Sequence, residues 1–375
     1  MVFGIKKKMI AASLAGAFTL SVGLGASHGD AAQADRECVA QVALLQSLAQ
    51  GYFGGTVTAG QLRTLGDTGI GTFEGLNGEM IVLDGTIYQA LGDGKVVVVP
   101  DKEIIPFSNV DGPGNRTSIF FQGCGFNCLF CHNPETINLC LNCGICMEKC
   151  PAGAISRDEE GRIVWDKDQC VSCDTCIQVC PHSSSPKIRW MTTDDVMQEI
   201  RRSAPYISGI TCSGGECTIW YEFMLELFKK VKEINKSCLI DSNGSFDFGQ
   251  DPRILEYCDG VMLDVKAANP EWHRTLTGAD RDRVMKNLRY LLAADKLYEV
   301  RTLIFPDRDR ENEETVKYVS EIIQDRCFYK IIRYRPFGVR EENKKLLGEW
   351  TTDEEYAEQY AQLARDLGAS KAYVV

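Results

Sequence analysis

From Arg116 onward, the chain alternates short apolar runs with segments of helical periodicity. The clearest helical segment is Trp220–Asn235, where Phe223, Leu227 and Val231 share one face at i, i+4 and i+8. Apolar runs bounded by turn residues predict strands at Thr117–Gln122, Ile207–Thr211, Cys238–Asp241, Val261–Val265, Glu299–Phe305, Tyr329–Tyr334 and Ala372–Val375, and a second helix is expected around Thr352–Leu367. This alternation predicts an α/β fold with a parallel sheet, either open or closed into a barrel.

Polar motifs follow the first four of these strands. The stretch Gly123–Pro134, which reads GCGFNCLFCHNP, comes after the first strand, and Ser213–Glu216 comes after the second. Asp241–Gly244 and Asp264–Lys266 end the third and the fourth. Because the carboxyl ends of parallel strands build the active sites of α/β proteins, we expect the four motifs to meet at one rim of the sheet.

The first 107 residues follow a different pattern. Residues 1–34 have the layout of a secretory signal, with a basic start at Lys6–Lys8, an apolar run at Met9–Ala26 and an A-x-A cleavage pattern at Ala32–Ala34. The run is too rich in Gly and Ser for a membrane span, and no other segment is long and apolar enough to span. Residues 38–107 are Gly-rich with short strand-like runs, which predicts a small β-rich segment ahead of the α/β part.

Composition bounds the domain organisation and disfavours one class of partner. The length of 375 residues favours two or more units, and a hydrophobic content of 44% is ample for a core. With 41 basic and 52 acidic residues the net charge is −11, which argues against a broad nucleic-acid-binding surface because such a surface is basic. We expect a leader at 1–34, an N-terminal segment at 35–104, and a main domain at 105–375 that contains an insert at 138–186.

Cysteine spacing indicates iron–sulfur chemistry. Eight of the 17 cysteines form two runs with the spacing C-x2-C-x2-C-x3-C, each followed by proline: Cys140, Cys143, Cys146 and Cys150, and Cys170, Cys173, Cys176 and Cys180. This spacing is typical of two-cluster ferredoxins, in which the fourth cysteine of each run ligates the other cluster. We therefore expect one [4Fe–4S] cluster on Cys140, Cys143, Cys146 and Cys180, and another on Cys170, Cys173, Cys176 and Cys150. Electron relay is their expected role, and a purely structural role is the alternative.

A third set contains only three cysteines. Cys124, Cys128 and Cys131 have the spacing C-x3-C-x2-C, whereas a closed [4Fe–4S] cluster takes four ligands. Three thiolates leave one iron without a protein ligand, and an open metal position is the mark of a catalytic site. The set therefore predicts a catalytic cluster whose open iron binds a small chelating molecule.

The cysteine loop followed by Ser213–Glu216 (SGGE) resembles the radical S-adenosylmethionine (SAM) superfamily. CHNPE, DSNG, VMLDVK and HRTLTG, with PFSNVDGPGNR at Pro106–Arg116, make the chain similar to the activating enzymes of glycyl radical enzymes, and most similar to the YjjW-type with its two ferredoxin-like clusters. The likeness covers residues 105–375. It implies an open, partial TIM-type β/α barrel of the radical SAM kind with a ferredoxin-like insert.

The resemblance also implies roles for individual residues. The cluster on Cys124, Cys128 and Cys131 would bind SAM, and these cysteines with Lys266 would be the catalytic residues. Residues implied to bind or border SAM are Phe130, His132, Gly214, Gly215, Glu216 and Lys266, and a monovalent cation would be held beside SAM by Asp241, Ser242, Met262 and Asp264. Structural alternatives are turn capping by Asp241 and Asn243, a core role for Met262, and packing of His273.

Four side-chain expectations are more detailed. The two glycines would let the backbone approach the ligand closely, and Glu216 would pair with a cationic group. Arg301 would serve an ion pair or a partner carboxylate. Pro306-Asp307 stands where the family often has a Pro-Gly turn, which leaves Asn312 as a weak candidate for a further polar SAM contact.

A second resemblance, over residues 38–107, is to the N-terminal part of α-acetolactate decarboxylase, a zinc enzyme. The matching features are Gly66-Asp67, Gly69–Thr72, Gly78–Met80 and Leu83–Gly85, and Glu79 matches an active-site carboxylate. The metal-binding histidines of that family lie in its second half, whereas the four histidines of this chain (His28, His132, His182 and His273) include no H-x-H pair. We expect a structural remnant, joined by fusion or a spliced reading frame, that ends near Ile105–Phe107.

The resemblance to activating enzymes implies reductive cleavage of SAM to methionine and a 5′-deoxyadenosyl radical, which abstracts a hydrogen from a glycine of a partner glycyl radical enzyme. A flavodoxin- or ferredoxin-type electron donor is the second implied partner, with no nucleic acid and no membrane. The alternatives are a radical SAM enzyme for a small molecule, a ferredoxin-like electron carrier and, for the N-terminal fragment alone, acetolactate decarboxylase. Oxygen-sensitive cysteine sites predict a cytoplasmic location, with which the signal-like leader conflicts.

Overall fold

The computed structural model describes residues 104–159 and 161–375, together with the backbone of five strands that precede them. The strands are β1 (Gln61–Leu65), β2 (Ile70–Gly75), β3 (Gly78–Leu83), β4 (Thr86–Leu91), β5 (Val96–Val98), β6 (Ile104–Ser108), β7 (Arg116–Phe121), β8 (Ile155–Arg157), β9 (Ile163–Trp165), β10 (Arg189–Met191), β11 (Gly209–Gly214), β12 (Ser237–Ser242), β13 (Gly260–Asp264), β14 (Leu297–Ile304), β15 (Phe328–Arg333) and β16 (Ala372–Val374). The leader predicted at 1–34 and the side chain of Glu79 lie outside the described residues.

The α-helices between these strands are α1 (Ile145–Lys149), α2 (Thr175–Gln178), α3 (Thr193–Ser203), α4 (Tyr221–Glu233), α5 (Pro270–Thr277), α6 (Asp282–Ala293), α7 (Asp309–Ile323), α8 (Glu341–Leu347) and α9 (Glu354–Asp366). The chain divides into two compact units. The first comprises residues 1–95 and 139–187, and the second comprises residues 96–138 and 188–375.

A sheet of ten strands forms the second unit, in the order β10-β5-β7-β11-β12-β13-β14-β15-β16, with β6 also paired to β7. Strands β7 and β11 to β16 are parallel, whereas the pairings of β5, β6 and β10 are antiparallel. The path across the sheet begins and ends on different strands, so the sheet is open. The predicted α/β class is confirmed, and so is the open sheet that the family resemblance implies.

The register of the parallel strands brings the polar motifs together at their carboxyl ends. Gly214 lies opposite Phe121, Asp241 lies opposite Met262, and Asp264 lies opposite Arg301. Helix α4 packs behind them with the predicted face inward, since Phe223, Leu227 and Val231 are all buried. The four motifs therefore share one rim, as the strand pattern predicted.

Some elements differ from the sequence-based prediction. The second predicted strand, Ile207–Thr211, begins later and ends later, at Gly209–Gly214, so half of the SGGE motif belongs to the strand itself. Strand β10 has only three residues, which is too short for a periodicity to be recognised. Helix α5 was also not predicted, although Asn269 caps it through hydrogen bonds from two backbone N–H groups and Pro270 is its first residue, a combination typical of helix starts.

The first unit has two described parts. Strands β1 to β4 form an antiparallel sheet in chain order, as expected for the small β-rich segment predicted there. In the insert, α1 and α2 each carry the third cysteine of one run, and a hairpin of β8 and β9 joins the two runs. Cys146, Ile155, Ile163 and Cys176 form the buried centre of the insert. Within residues 104–159 and 161–375, no helix has both the length and the apolar character needed to cross a membrane.

Candidate active site

The cysteine loop, Gly123–Pro134, leaves β7 and is fixed by backbone hydrogen bonds on two sides. Its N–H groups donate to carbonyls of the turn that follows and of the end of α5: Gly123 to Thr136 (2.8 Å), Cys124 to Ile137 (2.9 Å), Asn127 to Thr277 (2.9 Å) and Leu129 to Leu276 (2.8 Å). The amide of Gln122 also donates to the carbonyls of Glu135 (2.7 Å) and Asn138 (2.5 Å). Rigid elements thus set the path of the loop before any ligand binds.

The three thiols of this loop are largely shielded from water and act on one another electrostatically. Burial raises the pKa of Cys128 to about 12, and the nearby ammonium of Lys266 opposes that shift. Burial also raises the pKa values of Cys124 and Cys131. Since burial disfavours a bare thiolate, these side chains need a positive partner in order to ionise, and bound iron is such a partner.

The donor set fits an iron–sulfur cluster. The Sγ atom of Cys124 accepts the backbone N–H of Phe126 and the side-chain N–H of Asn243, both at 3.4 Å, and such bonds to cysteine sulfur are a usual feature of cluster sites. Across residues 104–159 and 161–375, no three His, Cys, Asp or Glu side chains are arranged tightly enough to hold a single metal ion. The spacing and the surroundings of the three thiols therefore indicate a cluster rather than a single metal ion.

Gly214 and Gly215 allow close approach of two backbone segments, and the predicted approach to a ligand stays a prediction. A Cβ atom on Gly214, whose φ is +118°, would overlap the backbone of Phe121. A Cβ atom on Gly215 would overlap the carbonyl of Gly123, which accepts the N–H of Glu216 at 2.7 Å. The glycines let the end of β11 lie directly against the start of the cysteine loop.

Glu216 is fully buried and ties the SGGE motif to the end of β12. Its carboxylate accepts the hydroxyl of Thr218 at 2.5 Å, the hydroxyl of Ser242 at 3.0 Å and the N–H of Asn243 at 2.7 Å. Burial raises the pKa of Glu216 to about 6, and these hydrogen bonds oppose the shift. These three donors to Glu216 are neutral, and its pairing with a cationic group stays a prediction.

Arg301 on β14 lies among the residues predicted to hold a monovalent cation. Its guanidinium donates to Asp241 at 2.9 Å, to Glu299 at 2.7 Å and to the sulfur of Met262 at 3.0 Å. Asp241 also accepts the hydroxyl of Ser213 at 3.0 Å. Burial raises the pKa of Asp241, whereas the charge of Arg301 opposes that shift. The arginine was expected to form an ion pair, and it does so inside the site.

Lys266 projects between Asp264 and the aromatic ring of Phe130. Its ammonium lies 2.8 Å from the Asp264 carboxylate and 5.1 Å from the centre of the Phe130 ring, a cation–π arrangement. Burial acts to lower the pKa of Lys266, but Asp264 and the thiols of Cys128 and Cys124 outweigh it, so the net shift is upward. Lys266 is therefore a fixed positive charge beside the cysteine loop.

Three other sequence candidates have structural partners. Nε2–H of His132 donates to the carbonyl of Arg335 at 3.0 Å, at the outer side of the loop. His273 is buried beneath the loop with its ring edge-on to Phe126, in line with the packed alternative. Asn312, the weak candidate for SAM, instead bonds to both backbone polar groups of Phe305, at 2.8 and 3.1 Å.

Sequence reasoning missed the double role of Asn243. Its side-chain oxygen accepts the N–H of Ser245 at 2.9 Å, which is the predicted turn cap, while its amide also donates to Cys124. The position of an Asn directly after a strand that ends in Asp241-Ser242 was visible in the sequence. Its contact with the cysteine loop depends on strand neighbours, which no local pattern contains.

The neighbours of the cysteines in the insert can be compared with the two groups that the spacing predicts. A small cavity has Cys150, Cys170, Cys173 and Cys176 among its lining residues. Cys140 and Cys146 are each influenced electrostatically by Cys143 and Cys180. The fourth cysteine of each run thus lies near cysteines of the other run, and Cys146 is influenced by Cys150 as well, so cross-ligation of two clusters stays a prediction.

Two protein families match the sequence. The radical SAM superfamily matches residues 118–319, and the alpha-acetolactate decarboxylase family matches residues 39–119. Both resemblances found in the sequence are confirmed. The second match runs past the boundary expected near Phe107 and ends within β7, so it includes part of a strand of the parallel sheet.

Curated relatives narrow the first match. The indoleacetate decarboxylase activating enzyme of Tractidigestivibacter scatoligenes is 31% identical, over 63% of this chain and 83% of the relative. The (2S)-3-sulfopropanediol dehydratase activating enzyme of Klebsiella oxytoca is 30% identical, over 54% and 69%. The isethionate sulfite-lyase activating enzyme of Oleidesulfovibrio alaskensis is 28% identical, over 66% and 89%. The chain therefore belongs to the radical SAM superfamily and, within it, to the activating enzymes of glycyl radical enzymes.

Proposed function

We propose that this chain cleaves SAM reductively and uses the product to generate a glycyl radical on a partner enzyme. One observation carries the proposal: a loop with three cysteines, Cys124, Cys128 and Cys131, lies at the same rim as the SGGE, DSNG and DVK motifs. When bound there, an iron–sulfur cluster with SAM supplies one-electron cleavage of a carbon–sulfur bond and a 5′-deoxyadenosyl radical.

The side chains around the loop suit a zwitterionic ligand with a nucleoside. The three thiolates would hold the cluster, and Lys266 would attract the carboxylate of SAM. The ring of Phe130 and the neighbouring His132 would border the ligand, and the backbone of Gly214–Glu216 offers polar groups to its amino group. Asp241, Ser242, Met262 and Asp264 would line its other side, where the two aspartates carry negative charge.

The ion pairs at this site decide whether the expected monovalent cation fits. Asp241 and Asp264 are each paired already, with Arg301 at 2.9 Å and with Lys266 at 2.8 Å. The donors expected for the cation are thus engaged by groups of the protein, so this set does not fit an added ion. In our proposal Arg301 supplies that positive charge, and no step depends on a monovalent cation.

The insert would bring electrons to the SAM-binding cluster. Its two cysteine groups have the composition of ferredoxin-type sites, which have no open iron and therefore suit electron relay. A flavodoxin or ferredoxin of low potential is the proposed donor. Eleven oxygen-sensitive cysteines favour a reducing compartment, so we propose that the protein works in the cytoplasm.

The first test is formation of 5′-deoxyadenosine. The full chain would be reconstituted anaerobically with iron and sulfide, mixed with SAM and dithionite, and the product measured by HPLC. We expect product from the wild type and none from Cys128→Ala, which loses one of three ligands. No product from a wild type with its full iron content would refute SAM cleavage.

The second test addresses the partner. Candidate glycyl radical enzymes from the same genome would be added one at a time, and a stable organic radical would be sought by electron paramagnetic resonance (EPR). A radical that requires both the activating chain and SAM supports the proposal. Product formation with no radical on any candidate, but with consumption of a small molecule, would favour the alternative of a small-molecule substrate.

A further inference from the structure

The two cysteine runs of the insert have the same spacing but different residues between the cysteines. In the first run, Gly144 and Ile145 separate Cys143 from Cys146, and in the second run Asp174 and Thr175 occupy the same places. The first run thus has no polar side chain at these two positions, and the second has a carboxylate and a hydroxyl. The surroundings of the two predicted clusters are therefore not equivalent.

Lys187 adds a buried charge to only one of the two sites. It lines the cavity of Cys150, Cys170, Cys173 and Cys176, and its side chain is 2% exposed. Its ammonium lies 2.6 Å from a carboxylate oxygen of Asp174, whose side chain is 51% exposed. The ion pair is thus oriented, with the positive end inside the cavity and the negative end toward water.

Thr175 adds a hydrogen bond to the same site. Its hydroxyl lies 3.3 Å from the sulfur of Cys173. A ligating cysteine is a thiolate and can only accept, so the hydroxyl donates. Ile145, at the matching place beside Cys143, has no hydroxyl and is 43% exposed.

The charges near the first run do not offset this difference. A Cβ atom on Gly144 would lie 2.7 Å from the guanidinium of Arg157, so a positive charge is also present there. Arg157 is exposed, however, and donates to the carbonyl of Gly161 at 2.6 Å. Water and salt screen an exposed charge far more than a buried one, so Arg157 has the weaker effect.

Reduction adds one negative charge to a cluster. A buried cation and a hydrogen bond to cysteine sulfur both stabilise the reduced form, and both therefore raise the reduction potential. We propose that the site of Cys150, Cys170, Cys173 and Cys176 holds the cluster of higher potential, and that Lys187 is the residue that sets the difference. This inference rests on the two ferredoxin-type clusters of the proposed function.

The test is a redox titration followed by EPR, in a Cys128→Ala background that removes the SAM-binding cluster. Two one-electron transitions are expected from the insert. Lys187→Gln should lower only the upper one, with at least a tenfold change in the ratio of reduced to oxidised cluster at fixed potential, about 59 mV for one electron. Lys187→Arg, which retains the charge, should leave both transitions in place.

Two further variants should raise a reduction potential rather than lower it. Asp174→Asn removes the negative end of the ion pair while keeping a residue that tolerates the positive φ of 57°, so the upper potential should rise. Ile145→Thr introduces the missing hydroxyl beside Cys143, so the lower potential should rise. If Lys187→Gln fails to bind iron, Asp174→Asn and Ile145→Thr still test the proposal.

The outcomes separate this inference from the function on which it rests. Unchanged potentials in Lys187→Gln and Asp174→Asn, or equal shifts of both transitions, would overturn the role of Lys187 while leaving the clusters established. Zinc in place of iron and sulfide in the wild-type insert would overturn the clusters and the inference together.

Discussion

At the scale of single residues, Arg301 carries the charge balance of the candidate site. It is 11% exposed and contacts two carboxylates, those of Asp241 and Glu299, which are themselves mostly buried. Removing one partner from a buried ion pair leaves an unpaired charge, at a typical cost of about 3–5 kcal/mol. The arginine is therefore the side chain whose loss the site should tolerate least.

We predict that Arg301→Gln lowers the melting temperature and slows formation of 5′-deoxyadenosine by at least about tenfold, equivalent to ~1.4 kcal/mol. Potassium should partly restore the rate of this variant, because a monovalent cation can then enter between Asp241 and Met262. The measurement is the rate in potassium chloride against choline chloride. Arg202→Gln, which breaks an exposed helical pair with Glu199, is the matched control and should behave as the wild type. A wild-type rate that itself requires potassium would show that Arg301 does not replace the ion.

His273 makes the stability of the fold depend on pH. Burial lowers its pKa from 6.5 to about 4, and the backbone of Ala267 only partly opposes the shift. In the unfolded chain the ring therefore binds a proton below about pH 6.5, whereas in the folded chain it does so only near pH 4. Stability contributed by the neutral ring is complete above pH 6.5 and is lost as the pH falls toward 4.

When the pH falls from 8 to 5, protonation of His273 in the unfolded chain should lower the unfolding free energy of the wild type by about 2 kcal/mol. His273→Leu removes the titrating group but keeps an apolar side chain against Phe126, so its stability should change less over that range. Melting temperatures of the two proteins at several pH values provide the measurement. Parallel curves for the two proteins would mean that other groups account for the loss.

At the scale of elements, the contact between β11 and the cysteine loop depends on Gly215. A Cβ atom there would overlap the backbone oxygen of Gly123 and would lie 2.8 Å from that of Thr136, and neither oxygen can rotate away. We predict that Gly215→Ala displaces the loop and removes the SAM-binding cluster, so bound iron should fall by about one third if three [4Fe–4S] clusters are present. Iron and sulfide analysis gives the result.

A second glycine offers the control for that change. A Cβ atom on Gly249 would lie 3.3 Å from a side-chain oxygen of Asp247, which can move. Gly249→Ala should therefore keep its full iron content. Equal iron contents in Gly215→Ala and Gly249→Ala would show that the cysteine loop can accommodate the added methyl group and still bind its cluster.

Elements could be predicted from the sequence where local pattern determines them. The buried strands at Thr117–Gln122 and Val261–Val265 were found within one residue of β7 and β13, because each is an apolar run that ends in polar residues. The strand pattern left the openness of the sheet undecided, since closure depends on the twist and number of strands rather than on their patterns, and only the family resemblance predicted an open, partial barrel. Likewise the motifs predicted which residues meet, but not that Glu216 bonds to Ser242 or that Arg301 reaches Asp241. Those partners depend on the register between strands that are distant in sequence.

At the scale of the whole molecule, function requires that a second protein reach the rim where the cysteine loop lies. The segment 334–340, between β15 and α8, borders that loop in the second unit. The carbonyl of Arg335 accepts a hydrogen bond from His132, and Arg340 donates to the side chain of Asn127 at 2.5 Å. Phe337 lies within this segment and is 88% exposed. An exposed aromatic side chain beside an active site is typical of an anchor for a protein partner.

We predict that Phe337→Ser lowers formation of the glycyl radical on the partner at least about tenfold, which is the scale of a hot-spot residue. Formation of 5′-deoxyadenosine without a partner should stay unchanged, because the side chain of Phe337 is almost fully exposed and adds little to the packing of the site. Both rates would be measured on the same anaerobic preparation. Val110→Ser is the matched control: Val110 is 76% exposed, but it lies before β7 and so at the opposite rim. A parallel loss of both activities in Phe337→Ser would mean that the segment acts on the cysteine loop through His132 and Asn127, and that the partner docks elsewhere.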